Sequence, residues 1–127
     1  MVDTSKLKIV IVDDSDFSRS IIRGMLEEVG FDVVGEADRA DAALVAIREK
    51  RPNVVITDIV MPEISGIELT EKISKDFEDV YVIVISSLSQ EHVILDAIRA
   101  GASDFISKPI QKDQLIDSLE KIASQIK

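Results

Sequence analysis

The chain has 127 residues and a formal net charge of −9, and a composition of 46% apolar and 31% charged residues suits one soluble domain with a buried core. The acidic balance argues against a nucleic-acid backbone or an anionic membrane surface as partner, and the absence of cysteine excludes disulfides and thiolate chemistry. The longest apolar run, Val80 to Ile85, is far shorter than the roughly 20 residues of a membrane helix, and the N-terminus has no signal-peptide pattern, so we expect a cytoplasmic protein without membrane insertion.

The first half of the chain alternates strand-like and helix-like segments. Leu7 to Val12 is an apolar, mostly β-branched run that predicts a strand buried on both faces. Apolar residues at every fourth position from Phe17 to Val29 then predict a helix. Asp32 to Glu36 predicts the second strand, Ala40 to Ile47 the second helix, and Val54 to Thr57 the third strand.

The second half continues the same alternation. A weaker helical pattern begins after Ser65, and Val80 to Ile85 predicts the fourth strand. Ile94 to Ile98 carries a helical stripe, Asp104 to Ser107 is a weaker strand, and Leu115 to Ile126 predicts the last helix.

Residues that start or stop helices agree with these boundaries. Ser65 with Glu68 has the spacing of a capping box at a helix start. Gly30 and Gly101 stand where a helix end favours a left-handed residue, and Pro52 ends the second helix.

Five strands alternating with five helices predict an α/β fold, with a parallel sheet covered by helices on both faces. Neither a linker nor a repeat interrupts the pattern, so residues 1–127 are expected to form a single domain. In such a sheet, ligands bind beyond the carboxyl ends of the strands, where the strand order reverses.

Reactive side chains follow four of the predicted strands. Asp13 and Asp14 end the first strand, Asp58 the third and Ser86 the fourth, while Lys108 follows the fifth. In a parallel sheet these groups converge on one edge, where crowded carboxylates are favourable if a hard cation lies among them. Mg²⁺ fits an oxygen-rich set, and a chain without cysteine and with one histidine makes a softer metal improbable.

A carboxylate can also attack phosphorus to form an aspartyl-phosphate, a reaction that needs positioned charges around the phosphoryl oxygens. Each residue has an ordinary structural interpretation as well. Asp14 or Ser15 could only cap a helix, Asp58 could be a turn former, and Lys108 could be a solvated charge. The joint pattern favours the site, because four strand ends must each deliver a suitable group.

The motifs IVDDS at 11–15, TDIVMPEISG at 57–66, VIS at 84–86 and AIRAGASDFISKP at 97–109 resemble those of the receiver domain of two-component response regulators. The similarity runs from Lys8 to Ile126, and the absence of an output domain after it resembles stand-alone, CheY-like receivers. It implies a flavodoxin-like, five-stranded parallel sheet in the order 2-1-3-4-5.

The resemblance also implies a role for each site residue. Asp58 corresponds to the phosphoacceptor. Asp13 and Asp14 correspond to the acid pair that holds Mg²⁺, Asp14 directly and Asp13 at least partly through water, and the Val60 carbonyl is the expected third protein ligand. Ser86 corresponds to the hydroxyl that bonds the phosphoryl group.

Three further positions carry expectations from the family. Lys108 corresponds to the lysine that pairs with the phosphoryl group, and a cis peptide is expected between it and Pro109. Phe105 corresponds to an aromatic switch position, here without a tyrosine hydroxyl. His92 is expected to be an exposed helix residue without a metal-binding role.

Two rival interpretations share part of the pattern. A flavodoxin would have the same strand order, but the acids of DDSDFS would repel the phosphate of its flavin cofactor. A haloacid-type phosphatase would use an aspartyl nucleophile on the first strand, with a second aspartate two positions later. Asp14 and Asp16 have that spacing, but Asp58 would then be unexplained.

The receiver resemblance implies a signalling switch rather than an enzyme. The expected phosphodonor is a sensor histidine kinase, and the expected target is a chemotaxis partner such as a flagellar motor switch component. The alternative is a phosphorelay shuttle that passes its phosphoryl group to a histidine phosphotransferase.

Overall fold

The computed structural model describes residues 3–126, which form five strands and five helices in strict alternation. The elements in chain order are β1 Lys8–Val12, α1 Asp16–Val29, β2 Asp32–Ala37, α2 Ala40–Lys50, β3 Val54–Asp58, α3 Gly66–Asp76, β4 Tyr81–Ser86, α4 Glu91–Arg99, β5 Asp104–Ser107 and α5 Lys112–Gln125. All neighbouring strands pair in parallel, in the order β2-β1-β3-β4-β5. The predicted α/β fold and strand order are confirmed.

Helices cover both faces of the sheet because successive side chains of each strand point to opposite sides. Ile9 and Ile11 of β1 pack in a core with α1 and α5, whereas Val10 and Val12 pack in a second core with α2, α3 and α4. Burial on both faces explains why these strands are continuous apolar runs in the sequence.

Helix ends follow the local signals in the sequence. Ser15 caps α1 and Ser65 caps α3, each accepting a hydrogen bond of 3.2 Å from the backbone N–H three residues later. Gly30 and Gly101 adopt φ angles of 98° and 112°, as predicted for residues at helix ends. Arg51, just before Pro52, also takes a left-handed conformation at the end of α2.

The parallel arrangement brings the carboxyl ends of all strands to one edge of the sheet. The strand order reverses between β1 and β3, since β2 lies on one side of β1 and the later strands on the other. This reversal creates the crevice in which α/β proteins of this type bind ligands. Within residues 3–126, none of the helices is both long and apolar enough to cross a bilayer.

Candidate functional site

Three carboxylates meet at the crevice between β1 and β3. Asp13 and Asp14 follow β1 directly, and Asp58 is the last residue of β3. Each offers an oxygen within 4.8 Å of an oxygen of the other two. Asp13 is buried, Asp58 is half-buried and Asp14 is exposed, so the cluster opens to solvent on the side of Asp14.

Lys108 balances part of this negative charge. Its Nζ lies 3.3 Å from Asp13 Oδ2 and 3.2 Å from Asp58 Oδ2, so one ammonium bridges two carboxylates. Two like charges 4.8 Å apart repel by about 3–4 kcal/mol at an effective dielectric constant of 20, and each contact with the ammonium offsets more than that. The lysine therefore holds together acids that would otherwise separate.

The environment shifts the protonation of both partners. Burial raises the pKa of Asp58; Asp13 acts in the same direction, and Lys108 and the Ile59 N–H only partly oppose them. Burial alone would lower the pKa of Lys108, but Asp58 and Asp13 outweigh it and raise that pKa. Lys108 therefore stays a cation at neutral pH, and Asp58 binds a proton more readily than a free aspartate does.

Backbone N–H groups hold the carboxylates of Asp13 and Asp58 in place. Asp13 Oδ1 accepts a bond of 2.9 Å from the Ser15 N–H, and Asp58 Oδ1 accepts one of 2.8 Å from the Ile59 N–H. The second oxygen of each acid is thus the one that faces Lys108.

Gly66 ends the motif at 57–66, and its close contact with Asp58 was not predicted from the sequence. A Cβ built on Gly66 would lie 2.0 Å from the carbonyl oxygen of Asp58, and the Gly66 N–H donates to the Ile59 carbonyl at 2.8 Å. Any side chain there would displace the loop that carries Asp58. The available signal was a glycine at the first position of a helix, where it adds no helix propensity.

Ser86 ends β4 and is fully buried, and its Oγ accepts a hydrogen bond of 2.9 Å from the Leu88 N–H.

The other expected site residues lie nearer the surface. Val60, in the loop after β3, is 58% exposed, and Leu88, in the loop after β4, is 40% exposed. Phe105 on β5 is partly buried against the core formed with α2, α3 and α4. The Lys108–Pro109 peptide is cis, as the resemblance implied.

The acid cluster suits a hard divalent cation. All three donors are carboxylate oxygens, and they lie close enough to share one ion. His92 is exposed in the first turn of α4, as predicted, and takes no part in this cluster. The donor set therefore agrees with magnesium rather than with a metal that prefers nitrogen or sulfur.

Comparison with known proteins identifies the class. The sequence-family model of the response regulator receiver domain matches residues 9–120 of this chain. The chain is 39% identical to the chemotaxis protein CheY of Listeria monocytogenes, over 92% of this chain and 98% of that protein. Among solved structures, the response regulator domain of Thermotoga maritima CheB has a TM-score of 0.85 at 31% identity, covering 93% of this chain and 96% of that one.

A second similar structure is the CheX–CheY–BeF3–Mg²⁺ complex from Borrelia burgdorferi, with a TM-score of 0.85 at 26% identity, covering 95% of this chain and 90% of that one. The chain belongs to the response regulator receiver domain family. Within that family it is similar to CheY-like receivers, which are phosphorylation-dependent signalling switches rather than classical enzymes. Receiver domains bind Mg²⁺ at an acidic pocket, and this chain has a cluster of acidic residues, Asp13, Asp14 and Asp58, at the carboxyl edge of its sheet.

Proposed function

We propose that Asp58 accepts a phosphoryl group from a sensor histidine kinase, with Mg²⁺ held by Asp13, Asp14, Asp58 and the Val60 carbonyl. The observation that carries this proposal is the bridge from Lys108 to Asp13 and Asp58 beside the third carboxylate. It combines a nucleophile, a cation that can balance phosphoryl charge, and an oxygen-rich metal pocket.

The chemistry follows from the two oxygens of Asp58. One oxygen attacks phosphorus, the bond from phosphorus to the donor imidazole nitrogen breaks, and the imidazole takes up a proton. The Lys108 ammonium is then available to the transferred phosphoryl oxygens, and the Ser86 hydroxyl supplies a further hydrogen bond. Bound magnesium supplies neutralisation of the phosphoryl and carboxylate charge.

Ser86 and Phe105 are the proposed route from the site to the surface. A Ser86 hydroxyl drawn toward the phosphoryl group leaves the Leu88 N–H and vacates space that the Phe105 ring can enter. Burial of a Phe is worth at most about 1.5–3 kcal/mol, so phosphorylation biases an existing equilibrium. The exposed apolar residues Leu95 and Ile98 on α4 offer a docking surface on the side that would change.

The target is proposed to be a chemotaxis partner such as a flagellar motor switch component. The similarity to proteins named CheY supports this choice over a phosphorelay shuttle. Pull-downs with and without beryllofluoride separate the two. A motor switch protein captured only with beryllofluoride supports the first candidate, and a histidine phosphotransferase supports the second.

Phosphorylation itself is tested with acetyl phosphate and Mg²⁺, followed by intact-protein mass spectrometry. We expect one phosphoryl adduct, lost in Asp58→Asn and retained in the matched control Asp76→Asn, an exposed acid at the end of α3. An adduct that survives Asp58→Asn would contradict the assignment and return attention to Asp14 as nucleophile.

A further inference from the structure

Arg19 joins three separate elements through one guanidinium group. From its position in α1, Nη1 donates to the main-chain carbonyl of Asp13 and Nη2 donates to the carboxylate of Asp16. Its Nε donates to Glu36 Oε1 on β2 at 3.1 Å. The side chain is only 14% exposed, so it is held in place rather than mobile in solvent.

The contact with Asp13 matters because of what lies next to it. Within residues 3–126 the Asp14 carboxylate accepts no hydrogen bond from the protein, although it is one of the three members of the acid cluster. Its position is therefore set by the backbone. The Asp13 carbonyl and the Asp14 N–H and Cα belong to one rigid peptide plane, so a bond that fixes the carbonyl also fixes the position of the Cα from which the Asp14 side chain extends.

We propose that Arg19 is a positioning residue for the acid pair: it holds the Asp13–Asp14 peptide so that the Asp14 carboxylate stays within reach of a cation shared with Asp58. This inference rests on the proposed magnesium site. Residues behind metal ligands commonly have this effect, and their loss typically lowers metal affinity by about 10–100-fold. The planar guanidinium suits the role because its separate N–H groups reach three acceptors at once, which an ammonium cannot do in the same geometry.

A positive charge near a cation site could instead weaken metal binding by repulsion. Here the Arg19 charge is compensated by two carboxylates, those of Asp16 and Glu36. The effect of Arg19 on metal binding through the position of the Asp14 carboxylate should therefore exceed its repulsion of the cation.

Arg23 provides a matched control for the charge. It lies one turn later on α1, pairs with the same Glu36 and also with Glu27, and makes no contact with the Asp13–Asp14 peptide. Arg23→Ala removes one positive charge from the same network without disturbing the Asp13–Asp14 peptide, so it controls for the loss of charge.

The test is isothermal titration of each variant with Mg²⁺ alone, after circular dichroism has shown that it is folded. Arg19→Ala should weaken Mg²⁺ binding about tenfold, Arg19→Lys should fall between it and the parent, and Arg23→Ala should stay within about twofold of the parent. In the metal-free protein, the Asp14 and Ser15 amide signals should shift or broaden in NMR spectra of Arg19→Ala only.

Unchanged Mg²⁺ affinity in both Arg19 variants would overturn the proposal, as would equal weakening by Arg19→Ala and Arg23→Ala. Loss of stability alone would mean that Arg19 only fastens α1 to β2. Asp14→Ala tests the magnesium site itself, independently of the role of Arg19. If the parent binds no Mg²⁺, or Asp14→Ala binds it equally well, the magnesium site itself is wrong and the role of Arg19 falls with it.

Discussion

Replacing Lys108 by methionine removes the charge that bridges Asp13 and Asp58 while keeping most of the side-chain volume. We expect Lys108→Met to lower the free energy of unfolding in the absence of metal. At 3.2 and 3.3 Å, each contact is worth about 5 kcal/mol at an effective dielectric constant of 20, before the desolvation of the three groups is subtracted. Removing one partner from a buried charge network typically costs about 3–5 kcal/mol. Since Lys108 is 26% exposed, we expect about 3 kcal/mol.

The loss of unfolding free energy in Lys108→Met should depend on pH in a defined direction. Lys108 lowers the pKa of Asp58, so its removal leaves that pKa still further above the unfolded value. A carboxyl with a raised pKa binds a proton more tightly in the folded state, and the variant regains stability as the pH falls through that raised pKa. The difference in stability between parent and variant should therefore narrow as the pH falls through the raised pKa of Asp58.

Urea unfolding followed by far-ultraviolet circular dichroism measures these values, since the chain has no tryptophan. Lys112→Met is the matched control: its Nζ pairs with Glu28 at 2.9 Å, but the two side chains are 38% and 68% exposed. We expect that exposed pair to contribute less than about 1 kcal/mol. A Lys108→Met variant as stable as Lys112→Met, or a deficit that widens toward acid pH, would refute the reasoning.

Three further predictions concern residues around the same site. Asp58→Asn should raise the free energy of unfolding of the metal-free protein at neutral pH, because burial raises the pKa of Asp58. This gain, measured by urea unfolding, should vanish as the pH falls through that pKa, and a gain that grows with acidity would contradict the prediction. Gly66→Ala should destabilise the fold and reduce phosphorylation, because the added Cβ would meet the Asp58 carbonyl. Gly24→Ala has open space around its Cβ and should stabilise the fold by about 0.5–1 kcal/mol. Equal effects of the two substitutions would show that the close approach of Gly66 to Asp58 is unimportant. Val60→Asn and Leu88→Glu should speed loss of the phosphoryl group, because both parent side chains are apolar and cannot orient water; an unchanged decay rate in both would remove the argument.

The sheet was predictable because each signal was local. A strand buried on both faces is apolar at successive positions, and β3 shows this at Val54, Val55 and Ile56. The positions of the aspartates were predictable from the same pattern, since an aspartate directly after such a run must lie at the edge of a parallel sheet. Here Asp13 and Asp58 do so, and they meet across the crevice between β1 and β3.

The remaining features depend on contacts between distant segments. The bond from Arg19 to the Asp13 carbonyl requires the orientation of α1 against β1, which helical periodicity does not contain. The closeness of Gly66 to the Asp58 carbonyl depends on how the intervening loop turns back. The separate roles of Asp58, Ser86 and Lys108 came from the family resemblance, because position at a strand end alone did not distinguish a nucleophile from a turn residue.

The charge balance of the site links these features to its proposed use. Three carboxylates and one ammonium leave a deficit of two positive charges, which is the charge of one divalent cation. A phosphoryl group transferred to Asp58 would add negative charge again, beside Lys108 and opposite Ile85, the neighbour of the buried Ser86 on β4. The Ser86 Oγ accepts a hydrogen bond from the Leu88 N–H, so its own hydroxyl proton can be donated to a phosphoryl oxygen, and a charged acceptor makes the stronger hydrogen bond. We therefore expect the charge added at Asp58 to move Ser86, and the helix that follows it, α4, begins five residues later at Glu91.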